Sequence, residues 1–240
     1  MTVSQHTVAG KVLTMPVRIR RAVVHTVLFS VAADAAQRLI DYSGLRVCEH
    51  RPGRAVVNLM LARYLDGDLG AYHEFGTAVM VNPSGPVARG WRALASAGAF
   101  IHHLPVDQAF TLEAGRRIWG FPKVMADFTV RDGKRFGFDV HESGVHIATI
   151  EFGRGLPVPS LVPRTQLLRA YSHTDGVTRE VPWEMRISGL RARLGGATLQ
   201  LGDHPYAAEL ASLGLPKRAF ASASTSNVAM VFGDADPLGR

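Results

Sequence analysis

The apolar residues of this chain mostly fall in short runs rich in Val, Ile, Phe and Ala, or alternate with polar ones, as on half-buried strands. Residues 22–31 are apolar and β-branched and predict a strand, followed by a short helix over 32–41. Further strands are expected at 54–64 and Tyr72–Asn82, parted by the turn residues Asp66, Gly67 and Asp68. Asn82-Pro83-Ser84-Gly85-Pro86 reads as a loop, because its prolines and glycine interrupt any ladder. Residues 87–100 fit a helix or a strand equally well. Residues 107–119 carry Phe110, Ala114 and Ile118 at a spacing of four, which predicts a helix with Asp107 as its N-cap. Gly120 stands where a helix end favours a left-handed residue, and Pro122 prevents continuation.

Beyond Lys123 the pattern gives strands at 124–131, 135–141, 146–152, 166–171, 178–187, Ala197–Leu201 and 220–232. Turns are expected at Asp132-Gly133 and Ser143-Gly144, and a short helix over 204–213. Many short strands and few helices predict a mainly β (α+β) fold, an antiparallel barrel or sandwich and not a doubly wound sheet. With no linker or repeat, residues 1–240 read as a single domain, with 1–19 loosely attached.

Composition narrows the function classes. The chain has 240 residues, 47% hydrophobic and 20% charged, which supplies a core and excludes disorder. No apolar run approaches the roughly 20 residues that cross a bilayer, so no membrane partner is expected. The first 21 residues lack the apolar core and cleavage pattern of a signal peptide, and the single cysteine, Cys48, has no internal disulfide partner. A cytoplasmic protein is the expectation. The net charge of +7 raises nucleic acid as a partner. The basic residues are scattered and no aromatic-interleaved RNA signature occurs, so none is expected.

Most familiar chemistries are missing. There is no H-E-x-x-H, no C-x-x-C and no calcium loop, and adjacent His102 and His103 would point to opposite faces of a strand, so no metal is expected. No G-x-S-x-G elbow or phosphate-binding glycine loop occurs. Cys48, two residues from His50, reads as a structural thiol. Lysine is the exception. Of 27 basic residues only Lys11, Lys123, Lys134 and Lys217 are lysines, so a position that needs any cation would here be arginine. Lys123 follows a helix stop and is flanked by Phe121, Pro122, Val124 and Met125. Apolar surroundings disfavour the ammonium, and the neutral amine so produced attacks carbonyls, which arginine cannot do.

Gly115-Arg116-Arg117-Ile118-Trp119-Gly120-Phe121-Pro122-Lys123 resembles the active-site segment of the acetoacetate decarboxylase family, in which the lysine after proline forms a Schiff base with substrate. Tyr72-His73-Glu74 before an apolar strand resembles the segment carrying a pocket glutamate. Arg164-x-Gln166 through Tyr171, and Leu199-Gln200-Leu201-Gly202-Asp203-His204-Pro205 with Leu215-Pro216, resemble the C-terminal half, and the likeness runs from about residue 20 to 232. It implies a closed, cone-like antiparallel β-barrel with peripheral helices, assembled as a homo-oligomer.

The same resemblance implies Lys123 as nucleophile and Glu74 as proton shuttle, with Trp119 and Phe121 at the substrate. It places an arginine near Arg20 or Arg21 (Arg21 in our reading), or Arg116, on the substrate carboxylate. It implies a keto-acid substrate and no cofactor. The sequence departs from the family in three places. Val124 replaces a second lysine, Asn58 a second pocket glutamate, and Arg117 a frequent glutamate. Decarboxylation of a β-keto acid is the leading expectation. Aldolase or dehydratase chemistry on an α-keto acid such as pyruvate is the alternative through the same imine, and a non-catalytic ligand-binding barrel is the third reading.

Overall fold

The computed structural model describes residues 4–82, 89–159 and 165–238. Pro83, Ser84, Gly85 and Pro86 of the expected loop, and Arg164, lie outside the described residues. The architecture turns on one long strand, Val17–Ala32, which pairs antiparallel with Arg54–Gly67 on one side and with Asn227–Phe232 and Ala221–Ser224 on the other. From Asn227–Phe232 the sheet continues through Val177–Ser188, Thr165–Thr174, Gly98–Val106 and Tyr72–Asn82 to Arg54–Gly67, closing a seven-stranded barrel. The expectation of an all-antiparallel barrel is corrected at Gly98–Val106, to which Thr165–Thr174 runs parallel, through Ala170 against Ala99 and Tyr171 against Phe100.

Strands Arg54–Gly67 and Tyr72–Asn82 are largely apolar on both faces because each face is covered. One face of Arg54–Gly67 presents Val57, Leu59 and Leu61, and one face of Val17–Ala32 presents Val27, Phe29 and Val31. These pack against an outer antiparallel sheet of Asp127–Arg131, Phe136–Glu142, Val145–Phe152 and Ala197–Leu201, through Phe138, Val140, Ile150 and Phe152. Helices Ala33–Ile40 and Pro205–Ser212 add Ile40 and Leu210 to the same cluster. Burying each such side chain is worth about 1.5–3 kcal/mol. A second cluster holds Ala62, Tyr64, Leu104, Val106, Ala170, Val181 and Met230, and helix Ala109–Trp119 seals it with Ala114, Ile118 and Trp119.

The N-terminus is not loosely attached as expected. Gln5–Val8 and Lys11–Thr14 form a hairpin, Val8, Leu13 and Met15 are buried in the second cluster, and Val17 and Ile19 already belong to the barrel. The ambiguous stretch resolves into helix Trp91–Ser96 and the start of strand Gly98–Val106. The expected strand 124–131 divides. Lys123–Met125 joins the barrel, parallel to Gly98–Val106, and Asp127–Arg131 joins the outer sheet. The expected strand 220–232 likewise breaks in two. Asp107 does not cap its helix. Gln108 does, accepting from the Thr111 N–H at 2.8 Å, while Asp107 accepts from the backbone and ring of His73.

His25, on Val17–Ala32, lies flat on Phe136 with ring centroids 3.6 Å apart, and burial pushes its imidazole down from 6.5 to about 4. The unfolded chain therefore takes up a proton between these values that the fold refuses, so His25 costs the fold stability as pH falls from 6.5 towards 4. Urea unfolding at pH 7 and pH 4.5 should show a larger loss for wild type than for His25→Phe, by up to a few kcal/mol. Equal losses would show that His25 is not the group responsible.

Candidate active site

The helix stop that the sequence predicted is the device that aims Lys123. At the end of Ala109–Trp119, Gly120 adopts φ 64° and its N–H reaches the Arg116 carbonyl at 3.2 Å, while the Phe121 N–H reaches the Gly115 carbonyl at 3.0 Å. The first of these is the 5→1 bond of a left-handed helix cap, and the glycine's conformation turns the chain off the helix axis at once. That turn delivers Lys123 to the barrel edge opposite Leu104. Arg116 Nε donates to the Lys123 carbonyl at 2.8 Å and fixes that backbone.

The Lys123 side chain then runs back across the helix it has just left. A Cβ on Gly115 would lie 2.5 Å from Lys123 Cδ and 2.6 Å from Cε, so the absent side chain at Gly115 is the channel for the lysine stem. One turn earlier on the same face, Thr111 Oγ1 accepts from Lys123 Nζ at 2.9 Å. The amine is 3% exposed and contacts Glu74 Oε2 at 2.7 Å. Glu74 sits on Tyr72–Asn82, and its other oxygen accepts from the Tyr64 hydroxyl at 2.8 Å. Tyr64 stacks on Tyr72 at 4.2 Å, and Nζ lies 5.2 Å from the Tyr72 ring centroid. Desolvation, reinforced by the Glu74 charge, holds both phenols well above their usual range, so they stay protonated.

Lys123 and Glu74 open onto a cavity whose other lining is apolar or aromatic, including Met60, Leu104, Trp119, Phe121, Trp183 and Phe232. Trp183 and Phe232 stack at 5.4 Å, and the Trp119 indole N–H is held by the Gly233 carbonyl at 2.8 Å. The buried Trp183 Nε1–H has no partner among the described residues. Among the described lining residues, Lys123 is the only basic one.

Lys123, Glu74, Trp119 and Phe121 thus meet at one cavity, and three of the expected site residues stand elsewhere. Arg21 is exposed beside a bulge in Val17–Ala32 and does not line the cavity. Asn58 accepts from the Thr26 hydroxyl on the neighbouring strand and is also absent from the lining. Arg116 holds the Lys123 backbone and is absent from the cavity lining, but with Val124 it lines an adjoining crevice that Lys123 and Phe121 also line. Sequence reasoning missed Thr111, Gly115, Tyr64 and Tyr72. For the first two a signal existed, since Thr111 and Gly115 share the helix face that precedes the lysine. Nothing in the sequence marked Tyr64.

A second correction concerns His102 and His103. Thr77 pairs with His103 but Ala78 with Ile101, so His102 is an extra residue in its strand. This β-bulge cancels the alternation expected of neighbours, and both imidazoles reach the same oxygen of Glu209, each at 2.7 Å.

A closed barrel with a buried lysine–glutamate pair facing an apolar cavity defines a lysine-centred class of site. The family described as Acetoacetate decarboxylase (ADC) matches residues 6–236, and the chain belongs to that family. A search of curated proteins by sequence finds no match. Among solved structures, acetoacetate decarboxylase from Legionella pneumophila is 18% identical with a TM-score of 0.66, over 93% of this chain and 87% of that one. The enduracididine biosynthesis enzyme MppR, complexed with pyruvate, is 17% identical with a TM-score of 0.66, over 95% and 92%. An acetoacetate decarboxylase-like enzyme from Sphingomonas wittichii RW1 is 15% identical with a TM-score of 0.67, over 99% and 100%. At these identities the structural likeness establishes the fold.

Gly115→Ala is expected to displace the lysine stem while leaving the barrel folded. A shift of about 1 Å at a nucleophile costs about 100-fold in rate, so rates of carbonyl-adduct formation should fall on that scale with the circular dichroism unchanged. A rate near wild type would show that Gly115 does not set the lysine's path.

Proposed function

We propose that this protein is a lyase that decarboxylates a β-keto acid through an imine on Lys123. The observation that carries the reading is the Lys123 amine, buried, held by Thr111 at 2.9 Å and in contact with Glu74 at 2.7 Å at the edge of an apolar cavity. Glu74 is placed to accept the proton that must leave Nζ before attack. Nζ then adds to the keto carbon, and the carbinolamine hydroxyl takes a proton and leaves as water, giving a protonated imine. The bond to the carboxylate breaks, its electron pair moves into the imine, and carbon dioxide departs. The resulting enamine is protonated on carbon, and water hydrolyses the imine to release the ketone and the amine.

The cavity lining favours this outcome over others from the same imine. A carboxylate held in this cavity, whose described lining carries no guanidinium, is poorly solvated, and it loses that charge as carbon dioxide forms. A reaction that keeps the carboxylate would gain from a cation placed on it. The missing second lysine does not oppose the reading. The family's acetoacetate decarboxylase activates its lysine with a neighbouring cation, whereas here Val124 lies on a neighbouring crevice and Glu74, in contact with Nζ, is left to take the proton before attack.

The second reading, aldol or dehydration chemistry on pyruvate, draws on the pyruvate complex of MppR, which shares this fold. One experiment separates the two. Protein incubated with acetoacetate or with pyruvate is reduced with borohydride and the adduct is located by mass spectrometry. An acetoacetate-dependent adduct on Lys123, accompanied by release of carbon dioxide, is expected. An adduct with pyruvate and no carbon dioxide from acetoacetate would favour the second reading, and no adduct on Lys123 would end both. Lys123→Arg keeps the charge opposite Glu74 but loses the nucleophile, so turnover should vanish while thermal unfolding stays cooperative.

A further inference from the structure

The bulge at His102 assembles a second group of converging side chains, which the lysine chemistry does not use. His102 Nε2 and His103 Nε2, from strand Gly98–Val106, meet Glu209 Oε2, from helix Pro205–Ser212, at 2.7 Å each. The three donor atoms lie within 4.8 Å of one another. Two bonds of about 2.1 Å to a tetrahedral ion span about 3.4 Å, so small movements of these side chains would admit one.

Two features distinguish this group from a surface ion pair. Two imidazoles from adjacent residues are turned onto one carboxylate oxygen, and the strand departs from regular pairing to bring the second. Both rings are also held from behind. The Tyr42 hydroxyl hydrogen-bonds His102 Nδ1 at 3.0 Å, the outer support that metal-bound imidazoles characteristically have. The His103 ring packs on Tyr206 at 3.9 Å, and the Tyr206 hydroxyl is anchored to Thr77 at 2.5 Å.

We propose that His102, His103 and Glu209 form a binding site for a borderline divalent transition-metal ion, of which Zn2+ is the representative. Two imidazole nitrogens with one carboxylate suit Zn2+ and its neighbours and not Ca2+ or Mg2+, which require mostly oxygen. His102 and His103 line the crevice that adjoins the lysine cavity and that Lys123 also lines, so water or a small ligand from that crevice completes the coordination. The ion would pin helix Pro205–Ser212 to the barrel strand. This site stands independently of the imine reading.

The test uses full-length protein, stripped of metal and of any purification tag, titrated with Zn2+ against a chromophoric chelator. One ion per chain is expected, with affinity at least about tenfold weaker in His103→Gln and in Glu209→Gln and unchanged in His141→Gln. Binding by the first two variants equal to wild type, or no stoichiometric binding by wild type, would overturn the site. A measurement on wild type guards against variants that fail to fold. Zn2+ should protect His102 and His103 from diethylpyrocarbonate while His141 and His146 stay reactive, and equal reactivity of all four with and without Zn2+ would also overturn it.

Discussion

A lysine nitrogen carried into a protein interior loses its water and must find both a counter-charge and hydrogen-bond acceptors, or give up its proton. The contact of Lys123 with Glu74 at 2.7 Å meets that requirement, and much of the structure serves to make it. The two side chains come from distant parts of the sequence. Bringing them together needs the Tyr72–Asn82 strand in register, a helix laid over the barrel end, and a reversal at Gly120 that returns the chain to the sheet within two residues. Each element is apolar where it meets the others, so the energy that assembles the barrel also covers the cost of hiding two charges.

Around that contact the division of labour is clear in chemical terms. Thr111 and Tyr64 each add a hydrogen bond to the pair, Arg116 fixes the backbone, and Gly115 leaves room for the stem. None of these carries the chemistry, yet each determines where the nitrogen is. The remaining walls are aromatic and aliphatic, which keeps the dielectric around the amine low.

The fold was largely legible in the sequence because strand period and turn chemistry are local signals. Ser143 and Gly144 both take positive φ where the turn was expected, and the helix ending before Gly120 ends there. The failures share a cause. Asp107 resembles an N-cap by type, but it is claimed by His73 across a strand pair. Arg21 and Asn58 were placed at the substrate by likeness to a family, and their partners, bulges and neighbours lie far away in the chain. His102 and His103 were read by alternation, which one inserted residue in the pairing overturns.

By itself, then, the chain determined a mainly β fold, a helix stop in front of one lysine kept where arginine is the usual cation, and a glutamate on an apolar strand. These follow from residue type and near neighbours, which every local segment carries with it. Only the tertiary structure decided that the lysine meets that glutamate, that the arginines stay outside the cavity, and that two histidines and a glutamate converge. Those outcomes depend on strand register and barrel closure, which are set by the burial of the whole chain at once and by no single stretch of it.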